Sequence, residues 1–105
     1  MVTAIRPPDL VSSRPLARDL MTGAPHNLAG QHLRVEFGDV LAAAPSFVDE
    51  LIRIVLVERR AARLELCGIQ CRPANYARRS ARTHNVVDRL VIGERQTVGR
   101  ASTDR

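Results

Sequence analysis

The chain has 105 residues, of which 45% are hydrophobic, and it carries a formal net charge of +5. That length allows one small domain with a modest core and leaves no room for a second domain. No run of about eighteen apolar residues and no charged, apolar leader is visible, so we expect neither a membrane span nor secretion, and a cytoplasmic location.

The first part of the chain predicts a weak strand and a short helix. Val2 to Ile5 is a short apolar run before two prolines, which indicates a weak edge strand at most. Ser12 and Ser13 can cap a helix that has Pro15 in its first turn and ends at Gly23. A loop rich in turn-forming residues then leads to the central stretch.

The central stretch, residues 32–60, carries the strongest patterns in the chain. Residues 33–37 alternate apolar and polar, as expected of a strand with one buried face, and Gly38 ends that run. Ser46 is a strong N-cap residue, and Asp49 lies three positions later, where a capping box places an acid. We therefore predict a helix that starts at Ser46.

The apolar residues of this helix cover a little over half of its circumference, which predicts a mostly buried helix with one narrow wet edge. The segment LIRIVLV has the composition of a buried strand, but a pair formed by Asp49 and Arg53 at i,i+4, with the acid first, favours helix. The apolar arc consists of Phe47, Val48, Leu51, Ile52, Ile54, Val55 and Leu56, and the wet edge of Asp49, Glu50, Arg53 and Arg60.

The second half of the chain continues the alternation of strand and helix. Residues 63–67 alternate again and predict a second strong strand. Pro73 is well placed early in a helix, and Ala74, Ala77 and Ala81 recur at helical spacing, so this helix should lie on the surface with a thin apolar face.

Residues 86–92 predict a last short strand, or a turn and a strand, that ends at Gly93. From Glu94 onward the chain is polar and aperiodic, so we expect a domain of residues 1–93 and a loose tail of residues 94–105. The order of elements predicts an α/β fold: a mostly parallel or mixed four-stranded sheet with about three helices packed on it, joined by right-handed crossovers.

The residue patterns do not indicate catalysis. Cys67 and Cys71 have three residues between them and no second pair, which does not match a zinc site, so we interpret them as a buried strand cysteine and a loop cysteine. The glycines are isolated, which excludes a phosphate-cradling loop, and no motif brings Ser, His and an acid together. We expect a protein that is not an enzyme and needs no cofactor or metal.

The positive charge is concentrated in residues 72–89, which hold five arginines and a single acid, Asp88. A basic patch is expected there, and nucleic-acid binding is the alternative function. Against it, aromatic residues are only 3% of the chain, so platforms for base stacking are scarce, and all 16 basic residues are arginine, which indicates a composition bias. The patch consists of Arg72, Arg78, Arg79 and Arg82, with Arg89 nearby.

Two neighbouring blocks, Val35-Glu36-Phe37-Gly38-Asp39-Val40 and Pro45-Ser46-Phe47-Val48-Asp49-Glu50-Leu51, resemble the STAS-like domains of bacteria, which are relatives of the STAS domains in anti-sigma factor antagonists. The resemblance covers about residues 10–92. It implies a single small STAS-like domain that works as a regulatory protein–protein interaction module. The expected partner is a kinase-like ATPase or an anti-sigma-type regulator, and the domain itself is expected to be a monomer or a homodimer.

The resemblance also implies where the partner docks. Ser46 matches the serine that a partner kinase phosphorylates in the antagonists, although it can equally be a helix cap and nothing more. Phe47 is either a core residue or an exposed anchor beside the cap. The expected partner-binding residues are Pro45, Ser46, Phe47, Asp49 and Glu50.

Overall fold

The computed structural model describes residues 2–94. In chain order the elements are β1 (Val2–Ile5), β2 (Leu10–Val11), α1 (Arg14–Leu20), β3 (His32–Glu36), β4 (Ala42–Ala43), α2 (Pro45–Ile52), β5 (Arg63–Ile69), α3 (Cys71–Thr83) and β6 (Leu90–Glu94). Within the described part, the main sheet has four strands in the order β1-β3-β5-β6, and every pair is parallel. The α/β prediction, with four strands and three helices, is confirmed.

The three helices form one layer on one face of this sheet. Each helix connects two neighbouring strands, and α2 packs between α1 and α3. Alternate strand residues such as Leu33 and Leu66 are buried beneath the helices. On the opposite face, the Arg34 guanidinium lies 3.4 Å from the carboxylate of Glu65 on the neighbouring strand. The core therefore lies between the sheet and the helices, and the other face of the sheet is polar.

Helix α1 follows the sequence prediction. The Ser13 hydroxyl accepts a hydrogen bond from the Leu16 N–H at 3.3 Å, and Pro15 lies in the first turn. A 3₁₀ turn over Met21–Gly23 ends the helix at the predicted glycine. The predicted edge strand at Val2–Ile5 is also present, paired with β3.

Helix α2 has its N-cap two residues earlier than predicted, so the assignment of Ser46 as N-cap is wrong. The N-cap is Ala44, with φ −83° and ψ 151°, and it provides no side-chain hydrogen bond. The reason is Pro45, whose ring fixes a helical φ and disfavours helical geometry in the residue before it. Ser46 is therefore the second residue of the helix.

The prediction of a long helix, and not a strand, is confirmed for this segment. After Ile52, however, the α-helix becomes a wider π-helix over Arg53–Glu58. The Arg59 N–H donates to the Ile54 carbonyl at 2.8 Å, as the wider turn requires.

Strand β5 contains a bulge at Gly68, which has a φ of +69°. A Cβ at Gly68 would lie 3.1 Å from the Cα of Gly38 and 3.2 Å from its N. The absence of a side chain at residue 68 thus allows the bulge of β5 to lie directly against the loop that follows β3.

Helix α3 packs through small residues, as predicted. Ala74, Ala77 and Ala81 are fully buried. The turn-and-strand prediction for residues 86–92 is confirmed by a 3₁₀ turn and β6. Glu94 belongs to β6 and not to the tail, and the rest of the predicted tail, residues 95–105, lies outside the described residues.

No helix in residues 2–94 is both long enough and apolar enough to span a bilayer.

Candidate functional site

Two loops meet beyond the carboxyl ends of β1 and β3. There β2 pairs in parallel with β4, so that Leu10 lies opposite Ala42. The Leu41 N–H donates to the Asp9 carbonyl at 2.7 Å, and the Ala44 N–H donates to the Val11 carbonyl at 2.9 Å. These bonds hold the segment before α1 against the segment before α2. The carboxyl edge of a parallel sheet is the usual position of binding sites in α/β proteins.

Two large apolar side chains are exposed at this junction. Leu10 is 62% exposed and Leu41 is 66% exposed. Pro45, four residues after Leu41, is exposed, and Ser46 is half-buried. We call Leu10, Leu41, Pro45 and Ser46 the docking surface. Exposed apolar side chains on loops that meet at the surface are a feature of contact sites for other molecules.

Phe47 does not belong to this surface, and the prediction of an exposed anchor is wrong. Its side chain is 0% exposed, within the main core. Its spacing along α2 places Phe47 on the buried face of the helix, together with Val48 and Leu51. The alternative interpretation of Phe47 as a core residue is confirmed.

Asp49 links α2 to both other helices instead of closing a capping box. The Ser80 hydroxyl donates to Asp49 Oδ1 at 2.6 Å, and Arg14 Nη1 donates to Asp49 Oδ2 at 2.8 Å. His84 Nε2 lies 3.3 Å from Asp49 Oδ1. Burial alone would raise the pKa of Asp49, but the hydrogen bonds from Ser80, Arg14 and His84 outweigh it and hold this pKa below its ordinary value.

The cluster of Asp49, Ser80 and His84 lacks the geometry of a nucleophilic triad. In a triad the histidine lies between the nucleophile and the acid, whereas here Ser80 and His84 both contact the same oxygen of Asp49. The Ser80 side chain is also buried. In the sequence, Ser80 shares the face of α3 that carries the alanines. No sequence pattern links it to an acid 31 residues away, so this contact was not predicted.

Glu50 was expected on the wet edge of α2, and that expectation is wrong because the residue is only 3% exposed. Its carboxylate is covered by three guanidinium groups: Arg18 at 2.8 Å, Arg14 at 3.1 Å and Arg53 at 3.4 Å. Arg53 thus pairs with Glu50 and not, as predicted, with Asp49. Burial alone would raise the pKa of Glu50, but the arginines lower it by more than burial raises it. The pKa of Glu50 therefore lies below its ordinary value.

The lowered pKa values of Asp49 and Glu50 predict that the domain loses stability in acid. Because the pKa values of Asp49 and Glu50 are lowered by folding, their contribution is fully present above their unfolded values near 4 and is lost as the pH falls through the lowered values. The Glu50→Gln variant should lose about 1–3 kcal/mol of unfolding free energy at pH 7 and show a flatter acid slope. Urea denaturation from pH 7 to pH 3 measures both quantities.

The control for this experiment is Glu65→Gln, which removes a half-exposed carboxylate from the polar face of the sheet. We expect it to change the unfolding free energy by less than about 0.5 kcal/mol. Equal losses and equal acid slopes in Glu50→Gln and Glu65→Gln would contradict a special contribution from the buried carboxylate.

A notch of about 120 Å³ lies between α2 and α3, next to the docking surface. It reaches from Pro45 on α2 to the exposed Arg79 on α3. Its lining residues include Pro45, Asp49, Tyr76, Arg79, Ser80 and Thr83.

The predicted basic patch divides into two groups of arginines. Arg72, Arg79 and Arg82 are exposed on α3, and no acid of residues 2–94 lies within 4 Å of them. Arg78 pairs with Glu94 at 2.7 Å. Arg89 has a structural role, because its guanidinium donates to the carbonyls of Leu56 and Ala61.

The two cysteines lie in different environments. Cys67 is half-buried on β5, where burial and then Glu65 raise the pKa of its thiol. Cys71 is exposed and begins α3, so its assignment to a loop is wrong. Within residues 2–94, no three histidine, cysteine or acidic side chains are grouped closely enough to hold a metal ion.

Comparisons with protein-family models, with curated proteins and with solved structures find no match for this chain.

Proposed function

We propose that this domain is a cytoplasmic, non-enzymatic regulatory module that binds a protein partner through the docking surface. By its resemblance to anti-sigma factor antagonists, the partner is a kinase-like ATPase or an anti-sigma-type regulator. The observation that carries the proposal is the exposure of Leu10 and Leu41 beside the start of α2.

The two leucines supply the binding energy in this proposal. Full burial of one leucine side chain is worth about 1.5–3 kcal/mol relative to leaving it in water. The bonds between Asp9, Leu41, Val11 and Ala44 hold both loops in place before the partner arrives. Little conformational entropy is then lost on binding, and more of the burial energy remains as affinity.

Ser46 supplies the regulation. As the second residue of α2, it lies in the turn whose N–H groups have no acceptor within the helix. A phosphate on Ser46 would add a charge of about −1.5 to −2. The helix start tolerates an anion, so the fold survives. A partner that packs on the adjacent leucines would have to desolvate this charge, so the complex dissociates.

The test begins by capturing the partner with immobilised wild-type chain from an extract of the native cells. Calorimetric titration of the captured protein then compares variants. Leu41→Asp is expected to lose at least about 2 kcal/mol of binding free energy, as a central contact does, and Ser46→Asp at least about 1.4 kcal/mol. Both should keep the urea midpoint of the wild type, because the changed side chains are at least partly exposed.

The matched control is Val57→Asp, which puts the same charge on another exposed apolar residue, 42% exposed in the π-helix. Its affinity should equal that of the wild type. If Leu41→Asp also binds like the wild type, the partner does not use the docking surface. If only Ser46→Asp binds normally, Ser46 has no regulatory role.

The alternative function is nucleic-acid binding through Arg72, Arg79 and Arg82, which are exposed and have no acidic neighbour among the described residues. Such binding would weaken with salt with a log–log slope of roughly −0.9 per phosphate contact on duplex DNA. We expect only weak, sequence-independent binding that is lost at physiological salt. Tight binding to DNA or RNA at that salt would reverse the ranking of the two functions.

A further inference from the structure

A groove of about 410 Å³ lies between α3 and β6, away from the docking surface. Apolar side chains line it together with two arginines of α3, which we call the rim. Its lining residues include Arg78, Ala81, Arg82, Val87, Leu90 and Ile92. Val87 is exposed, while Leu90 and Ile92 are half-buried.

The groove lies where one more strand of the sheet would place its side chains. Strand β6 is at the edge of the sheet, and no strand in residues 2–94 pairs with its outer side. Leu90 and Ile92 are alternate residues on the helix side of β6 and line the groove below α3. A strand added to β6 would hydrogen-bond to the backbone groups on its outer side, where no strand of residues 2–94 lies, and direct every second side chain into the groove.

The charge of the rim selects the side chains that fit. Arg78 already holds a carboxylate, that of Glu94, at 2.7 Å. Arg82 is exposed and has no acid within 4 Å among residues 2–94. An incoming acidic side chain can therefore pair with Arg82, while an apolar side chain two residues away covers Val87 or Ile92.

Charge also argues against two other occupants. A second copy of the chain, paired through its own β6, would bring two sets of rim arginines together. The segment 95–105 contains three arginines and one aspartate, so it has the same sign as the rim. Like charges at close range oppose both arrangements.

We propose that the α3–β6 groove binds an extended acidic segment of another protein, which adds to β6 as a fifth strand. The residues of this segment that face the groove are alternately apolar and acidic. This site is independent of the docking surface, so that two proteins can bind this domain at the same time.

The test uses a labelled peptide of sequence Val-Thr-Glu-Thr-Val-Thr-Glu with blocked ends, and isotope-labelled protein for NMR. Peptide binding should shift the backbone amides of residues 78–82 and 90–94 and leave those of residues 41–46 unchanged. Fluorescence anisotropy measures the affinity. Arg82→Glu should weaken binding by roughly tenfold or more, because it replaces an attraction with a repulsion, and Val87→Asp by roughly fivefold or more.

Two controls separate the groove from general charge attraction. Arg72→Glu makes the same charge change on α3 at a residue outside the groove lining, and it should change the affinity by less than about twofold. A peptide with lysine in place of both glutamates should bind the wild type poorly and bind Arg82→Glu better than it binds the wild type.

Several outcomes would overturn the proposal. One is the absence of any shift in residues 90–94 at millimolar peptide while the protein remains folded. Another is an equal loss of affinity in Arg82→Glu and Arg72→Glu, which would indicate nonspecific attraction. A free chain that sediments as a dimer through β6, or a DNA duplex that displaces the peptide at lower concentration, would assign the groove to a different occupant.

Discussion

Replacement of Phe47 by alanine is expected to lower the free energy of unfolding by about 3–5 kcal/mol, which is a large share of the stability of a small domain. The phenyl ring is 0% exposed and belongs to the core between α2 and the sheet. Its removal loses the burial energy of the ring and leaves a cavity that close-packed neighbours fill only in part. Urea denaturation at pH 7 measures the loss.

Val57→Ala is the matched control for Phe47→Ala. Val57 lies further along the same helical stretch but is exposed, so truncation should cost no more than about 0.5 kcal/mol. A loss below about 1 kcal/mol for Phe47→Ala would contradict its position in the core. Phe47→Ala is also unsuitable for testing partner binding, because any loss of affinity would be mixed with unfolding.

Gly68→Ala is expected to cost about 2–4 kcal/mol, from two effects that add. The φ of +69° at Gly68 is unfavourable for any residue with a Cβ. The new methyl group would also lie 3.1 Å from the Cα of Gly38, and backbone atoms move less readily than the end of a side chain. The bulge of β5 and the loop after β3 would have to separate.

The comparison for Gly68→Ala is Gly93→Ala on β6. A Cβ at Gly93 would make ordinary contacts, the nearest being the Leu66 carbonyl oxygen at 3.7 Å. Its effect should be within about 1 kcal/mol of zero. If the two variants have the same thermal and urea midpoints, the close approach of Gly68 to Gly38 is not needed for the fold.

Local patterns predicted most of the regular structure because the physical cause was local. The cap of α1 depends on Ser13 and a backbone N–H three residues away. Strands β3 and β5 show the two-residue period that one buried face imposes. The start of α2 was misplaced because two local rules competed, and the proline at position 45 prevailed over the serine at position 46.

The site was harder to predict because its contacts join distant parts of the chain. Strands β2 and β4 have two residues each, too few to show a period, and they form because two loops end side by side. Asp49 is 31 residues from Ser80 and 35 from Arg14. The position of Asp49 suited a capping box, but its carboxylate bonds to side chains of α1 and α3 instead. Only the packing of the three helices reveals these partners.

The strand order β1-β3-β5-β6 also determines how the domain can assemble as it is synthesised. Each strand of the main sheet pairs with the main-sheet strand made before it, so no strand has to insert between two that are already paired. Domains fold from the N-terminus during translation at about 5–20 residues per second, and growth by addition to one edge suits that direction. Until Leu90–Glu94 leaves the ribosome, β5 is the outer strand of the main sheet, and the backbone groups that later pair with β6 are open to pairing with another chain.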